Sequence, residues 1–309
     1  MNALVSDAMM MEAAEAAGVP MAGAIAGPAA LASPSYQALE SRSIVSSGVF
    51  VKRMHPEMRE GFDLVSSLEL ASRAGSAGAG PQVHWSDPDL VAVAMDALGD
   101  GWRTARQNDL QEPAVVASAM QAMKTLHACD AVSHRFDPFA IIDDLLGSCA
   151  RDGIPLPDDI HWLRRIIAMA EPLGDRATLA PCRNDGSSSN LMIGPGGQVM
   201  LIDYDRAGMN DPLYDVGCLL AEMTDHERDM HDGFIAYAGR FDEAGFARAR
   251  VWSHVDDLLH ALWSRRMAHR SERKVVEWIK YGEWRLLRVR MALSNPSFEE
   301  KIRISGAAS

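Results

Sequence analysis

The stretch from Leu179 to Cys218 constrains this chain more than any other part of it. Two short apolar runs, Leu191-Met192-Ile193 and Val199-Met200-Leu201-Ile202, flank Gly194-Pro195-Gly196-Gly197. Apolar runs of that length around a Gly/Pro cluster read as two β-strands and their turn. Asn190 stands just before the first strand and Asp203 just after the second, so closing the hairpin sets them side by side. Asp185 precedes Asn190 in the pattern Asp-x-x-x-x-Asn. An acidic surface hairpin would show the same turn residues. The apolar strand that delivers Asp203, and the acids Asp211 and Asp215 that follow, favour a site instead.

That geometry suits the transfer of the terminal phosphoryl group of ATP. The reaction asks for Mg²⁺ held against the phosphates and a carboxylate oriented on the attacking hydroxyl. Asp185 is placed to be that carboxylate. Asn190 and Asp203 offer the hard oxygen donors that Mg²⁺ requires.

The motifs read Arg183-Asn184-Asp185, Asn190, Ile202-Asp203-Tyr204-Asp205 and Asp211-Pro212-Leu213-Tyr214-Asp215. This resembles the catalytic core of the choline/ethanolamine kinase family, within the aminoglycoside-phosphotransferase and protein-kinase-like fold. Members carry His-x-Asp-x-x-x-x-Asn, a hairpin, Ile-Asp-(Trp/Phe)-Glu and Asp-Pro-x-x-Asp. The resemblance implies that Asp185 is the catalytic base, that Asn190 and Asp203 are metal ligands assisted by Asp205, and that Asp215 is a buried acid bracing the loop. It implies ATP and Mg²⁺ as cofactors. The fold it implies is α+β and two-lobed, with a small antiparallel β-sheet lobe over residues 1–98 and a larger, mainly helical lobe over 99–309. The family's His is Arg183 here. An arginine can brace the loop by hydrogen bonds but is never neutral, so a catalytically degraded relative acting as a scaffold stays open beside the active kinase.

In the N-terminal lobe, residues 1 to about 20 read as an amphipathic helix ended by Gly18 and Pro20. Pro28 to Met54 reads as the small sheet. By resemblance Lys52 is the phosphate-pairing lysine, with Arg53 as the fallback. The phosphate-covering loop falls on Ala29 to Ser35, where Ser33 and Ser35 are the candidate donors and the family's glycines are missing. Gly61 to Ala74 reads as the helix whose carboxylate pairs with that lysine, and Asp63 and Glu69 are both candidates. Gly75 to Pro81 reads as a flexible connection. Leu90 to Met95 is a buried-type strand. Met95 to Leu98 resembles the interlobe hinge, where backbone groups of Met95 and Ala97 would meet adenine.

The C-terminal third carries Trp252, Trp263, Trp278, Trp284 and Tyr281. Val251 to Met267 and Lys274 to Arg290 read as helices that bring aromatic rings near carboxylates, a cage for an ammonium group by cation–π attraction. Aromatics at helical spacing are mostly core, so one or two of the five are expected at a pocket, Trp263 first and Tyr281 second. Asp256 and Trp284 complete the candidate substrate set. Asp257-Leu258-Leu259-His260-Ala261-Leu262-Trp263 resembles the corresponding helix of the choline kinases. The implied acceptor is an amino alcohol such as choline or ethanolamine, with an aminoglycoside or a sugar as the alternative. Arg265 and Arg266, beside Trp263, would suit an acceptor bearing phosphate or carboxylate.

A formal net charge of −12 argues against a non-specific binder of nucleic acid or anionic membrane. The four cysteines show no metal or disulfide spacing and suit a reducing cytoplasm. No stretch reaches transmembrane length. The expected partner is a small hydroxylated acceptor, with no nucleic acid and no membrane, and a homodimer is allowed.

Overall fold

The computed structural model describes residues 7–28 and 39–306. Helix α1 (Ala8–Ala16) starts where Asp7 accepts a hydrogen bond from the Met9 N–H at 3.0 Å, an N-cap that satisfies one orphan donor. Strands β1 (Ile25–Ala26), β2 (Ser41–Ser46) and β3 (Val49–Met54) follow, then α2 (Leu64–Ser76), β4 (Val83–Asp87) and β5 (Ala92–Asp96). The strands form one antiparallel sheet in the order β1-β2-β3-β5-β4. Ser33 and Ser35, the candidate phosphate donors, lie outside the described residues.

Successive side chains of a strand point to opposite faces, and β3 uses this to separate two basic residues. Lys52 turns into a cleft below the sheet. Arg53 turns the other way and donates to the Met9 carbonyl and to Glu12, both on α1, which removes it as an alternative to Lys52. Helix α2 does not supply the expected partner of Lys52. Asp63 is its N-cap, accepting from the Ser66 N–H at 2.8 Å, and Glu69 pairs with Arg73 one turn along. Nor is Gly75 to Pro81 a loose connection. Ala79, Gly80 and Pro81 are buried, and the Ala79 carbonyl accepts from the Leu201 N–H at 2.8 Å. Glycine is required at 80, because a Cβ there would lie 2.8 Å from the Leu201 oxygen.

The remainder is β6 (Arg103–Thr104), α3 (Pro113–His127), α4 (Pro138–Arg151), α5 (Ile160–Ile167), α6 (Glu171–Asp175), β7 (Ala180–Cys182), β8 (Leu191–Ile193), β9 (Val199–Leu201), β10 (Gly208–Asn210), α7 (Pro212–Met223), α8 (Glu227–Ala238), α9 (Glu243–Arg270), α10 (Val276–Leu293) and α11 (Ser297–Ile304). The fold is thus mixed α+β, a five-stranded antiparallel sheet over a helical lobe. Helix α9 is buried on every side through its centre, from Val251 to Ser264, so it forms the axis of the lobe rather than a surface layer. Trp252 and Trp278, both fully buried, anchor its packing against neighbouring helices. Among the described residues no helix is long and apolar enough to cross a membrane.

Candidate active site

The expected hairpin forms, with Leu191 paired to Leu201 and Ile193 to Val199. Its base carries the chemistry. Asn190 ends a short 3-10 turn, Ser188–Asn190, and its amide donates to Asp185 Oδ2 at 2.9 Å. The other Asp185 oxygen accepts from the Ser187 N–H at 2.7 Å. Asp203 follows β9 with φ of +63°, a left-handed conformation that few non-glycine residues adopt. Asp185, Asn190 and Asp203 all line one cleft of about 530 Å³ between the sheet and the helical lobe.

Lys52 closes the cleft from above. Its ammonium lies 2.8 Å from Asp203 Oδ1 and 2.7 Å from Asp205 Oδ2. Burial alone would depress the lysine, but these two carboxylates hold it well above its ordinary value. Burial would likewise raise Asp203, yet the Lys52 ammonium keeps it below the usual carboxylate range. Asp205 carries the opposite imbalance: burial and the neighbouring Asp203 charge push it up to about 8. Glu40, not singled out by any motif, completes a triad of acids with Asp203 and Asp205, with ligand oxygens within 4.8 Å of one another. The donors are hard oxygens, and the Asn190 side-chain oxygen accepts no hydrogen bond among the described residues. This set fits Mg²⁺.

The loop that holds Asp185 is supported from below. Arg183, 1% exposed, donates to the carbonyls of Asn190 (2.7 Å), Ile202 (2.9 Å) and Asp185. One side chain thereby ties together the loop and both ends of the hairpin. Asp215, at the start of α7, accepts the backbone N–H groups of Arg183 (2.8 Å) and Asn184 (2.7 Å). Behind it His127 Nε2 lies 3.1 Å from the same carboxylate, and its Nδ1 lies 2.9 Å from the Tyr237 hydroxyl. Asn184 sits at φ +57° and is fixed there by its amide donating to the Arg206 carbonyl at 3.0 Å.

The chain matches the model of the phosphotransferase enzyme family over residues 46–252, a span that contains every group just described except Glu40. It belongs to that family. Among solved structures it is similar to a choline/ethanolamine kinase family protein from Mesorhizobium loti, at 24% identity over 96% of this chain and 99% of that one, with a TM-score of 0.79. It is also similar to the choline kinase LicA from Streptococcus pneumoniae (16% identity, 82% and 89% covered, TM-score 0.70). An ADP-bound aminoglycoside phosphotransferase, APH(2'')-Ib, shares the fold as well (16%, 91% and 97%, TM-score 0.57). No curated protein matches the sequence at a significant level.

The two walls of the cleft differ in character. Met95 and Ala97 line the cleft at the end of β5, and the Ala97 N–H is already spent on the Gly48 carbonyl at 2.9 Å. Trp263, Tyr281 and His260 line the opposite wall. Trp284, 40% exposed, borders a small side hollow next to Asp185 rather than the main cleft. Asp256 is buried and matched, accepting from the Tyr214 hydroxyl at 2.6 Å and paired with Arg285 and with His260 at 3.0 Å. Arg265 and Arg266 turn away to Glu283 and Glu60. Among the described residues three other arginines line the cleft, Arg42, Arg206 and Arg273; Arg206, three positions beyond Asp203, is the one that stacks on Trp263, and no local pattern flagged it.

Proposed function

We propose that this protein is an ATP-dependent kinase of a small hydroxylated molecule. The observation that carries the reading is the convergence of Asp185, Asn190 and Asp203 in one cleft, with Lys52 bridging from the sheet above. The acceptor oxygen attacks the γ-phosphorus as the bond from that phosphorus to the β-bridging oxygen breaks. The electron pair leaves with ADP, and the hydroxyl proton passes to Asp185. Asn190 holds the Asp185 carboxylate in place through its amide while Arg183 and Asp215 fix the backbone around it, so the base is positioned before the acceptor arrives. Lys52 steadies the phosphates. Asn190 and Asp203, with Asp205, are the residues that would hold Mg²⁺, which supplies charge neutralisation on the phosphate oxygens.

Arg183 stands where choline/ethanolamine kinases have histidine, and its three carbonyl contacts support a competent loop rather than a degraded one. The resemblance puts amino alcohols first among acceptors to assay, then aminoglycosides and sugars. The test is ADP release across such a set by wild type and Asp185→Asn. The variant is expected to lose about 10²–10⁴-fold in turnover, the usual contribution of a general base, while ATP with Mg²⁺ still raises its melting temperature. A nucleotide at a hundredfold excess over its dissociation constant stabilises by about 2.7 kcal/mol. Absence of any nucleotide shift in the wild type would favour a scaffold.

A further inference from the structure

A cage for a cationic acceptor needs an open aromatic face and an unmatched carboxylate, and the wall around Trp263 offers neither. Arg206 occupies the aromatic site. Its guanidinium carbon lies 4.6 Å from the ring centre of Trp263 and 4.9 Å from that of Phe62. Asp256, the nearby carboxylate, is already paired with Arg285 and accepts from the Tyr214 hydroxyl. An ammonium group entering here would find the Trp263 face already taken by a guanidinium, whose one salt bridge among the described residues is to Glu40.

The same geometry is well made for the opposite charge. The Arg206 side chain is 8% exposed, so its cation is largely desolvated. Of its five N–H donors, one is directed at Glu40 Oε1, at 3.2 Å, and the side chain makes no other hydrogen bond among the described residues. Stacking between two rings removes the rotational freedom that an arginine normally gives up on binding. A planar fork held that way matches the two oxygens of a carboxylate or phosphate. It lines the same cleft as Asp185, so an acceptor could offer its hydroxyl to Asp185 and its anionic group to Arg206.

We propose that Arg206 is a specificity-determining residue that reads an anionic group, phosphate or carboxylate, on the hydroxylated acceptor; this rests on the kinase reading and narrows it. The full chain, saturated with a non-hydrolysable ATP analogue and Mg²⁺, is titrated calorimetrically with five small alcohols: choline, ethanolamine, glycerol, glycerate and glycerol 3-phosphate. One of the two anions is expected to bind at least tenfold more tightly than the cations and glycerol. Arg206→Gln should erase that preference and Arg206→Lys recover part of it, as a retained charge without the fork would. Binding of a cation as tight as that of the better anion, or anions no tighter than glycerol, overturns the proposal even if neither variant folds, because the wild-type panel alone decides it. The kinase reading fails separately, by absence of a nucleotide-induced melting shift in the wild type. In that case the panel is run without nucleotide and read in the same way.

Discussion

The Lys52 ammonium lies 2.8 Å from Asp203 Oδ1, joining the N-terminal sheet to the end of the hairpin across 151 positions of sequence. Among the described residues no helix carboxylate shares the lysine, whose salt bridges are to Asp203 and Asp205. Replacing Lys52 by Met leaves two neighbouring acids in a partly buried site without a cation. Mg²⁺ alone is then expected to raise the melting temperature of the variant more than that of the wild type, since the ion takes over the missing charge. Turnover should fall at least a hundredfold. Equal Mg²⁺ shifts in the two proteins would show that the lysine and the ion do not share these acids.

Restoring the family's histidine should harm this protein. Arg183 fills its site with three bonds to the carbonyls of Asn190, Ile202 and Asp185, a span no imidazole covers. Arg183→His strands at least one buried carbonyl, at about 1–3 kcal/mol for each. The melting temperature is expected to drop and turnover to fall tenfold or more. A histidine variant as active as the wild type would mean that the arginine is a handicap rather than a brace.

Asp215→Asn tests the support behind the loop. Both carboxylate oxygens accept backbone N–H groups, from Arg183 and Asn184. An amide replaces one acceptor with a donor, so one N–H faces another in a buried site. A loss of about 2–4 kcal/mol is expected from the stranded donor and the repulsion, together with weaker turnover at unchanged acceptor affinity. Chemical denaturation gives the first number and the split between kcat and KM the second. An unchanged denaturation midpoint would remove Asp215 from this role.

Acid sensitivity should have an identifiable contributor remote from the cleft. Burial pushes the His254 imidazole down to about 4, whereas in the unfolded chain it titrates near 6.5. Between those values the unfolded state binds the proton and the folded state does not, so stability falls as pH drops from about 6.5 to 4. The slope is up to about 1.4 kcal/mol per pH unit. His254→Gln should flatten the curve in that window and leave it parallel to wild type above pH 7. Unfolding midpoints at four pH values suffice, and identical slopes would rule the histidine out.

How much of this was legible in the sequence depends on how local each signal is. The hairpin, Asp185, Asn190 and Asp203 were readable because their placement is set within a span of about twenty residues by turn chemistry and strand period. Lys52 was readable as a strand residue, but its partner was not. The choice between α2 and the hairpin is made by tertiary packing, and α2 spends Asp63 on its cap and Glu69 on Arg73. The aromatic wall was half legible. Helical spacing put Trp263 and Tyr281 on the right helices, yet nothing in the spacing shows that Arg206, from a different element, would fill the space between Phe62 and Trp263. Ion pairs formed between distant segments are the part that pattern reading misses, as Asp256 with Arg285 also shows.

Gly186, between Asp185 and Ser187, offers the sharpest test that loop position governs turnover. A Cβ built there would collide with the Cys218 Cβ and carbonyl carbon and lie 2.8 Å from its Cα, on the first turns of α7. The obstacle is helix backbone, which cannot swing aside, so the loop must move instead and carry Asp185 with it. Gly186→Ala is expected to lower kcat about a hundredfold, the effect of a displacement near 1 Å at a reacting group, and stability by about 1–3 kcal/mol. Adding Cys218→Ala should rescue neither, because the thiol is not among the atoms in collision. Recovery in that double variant would place the conflict in the side chain and free the loop from the helix.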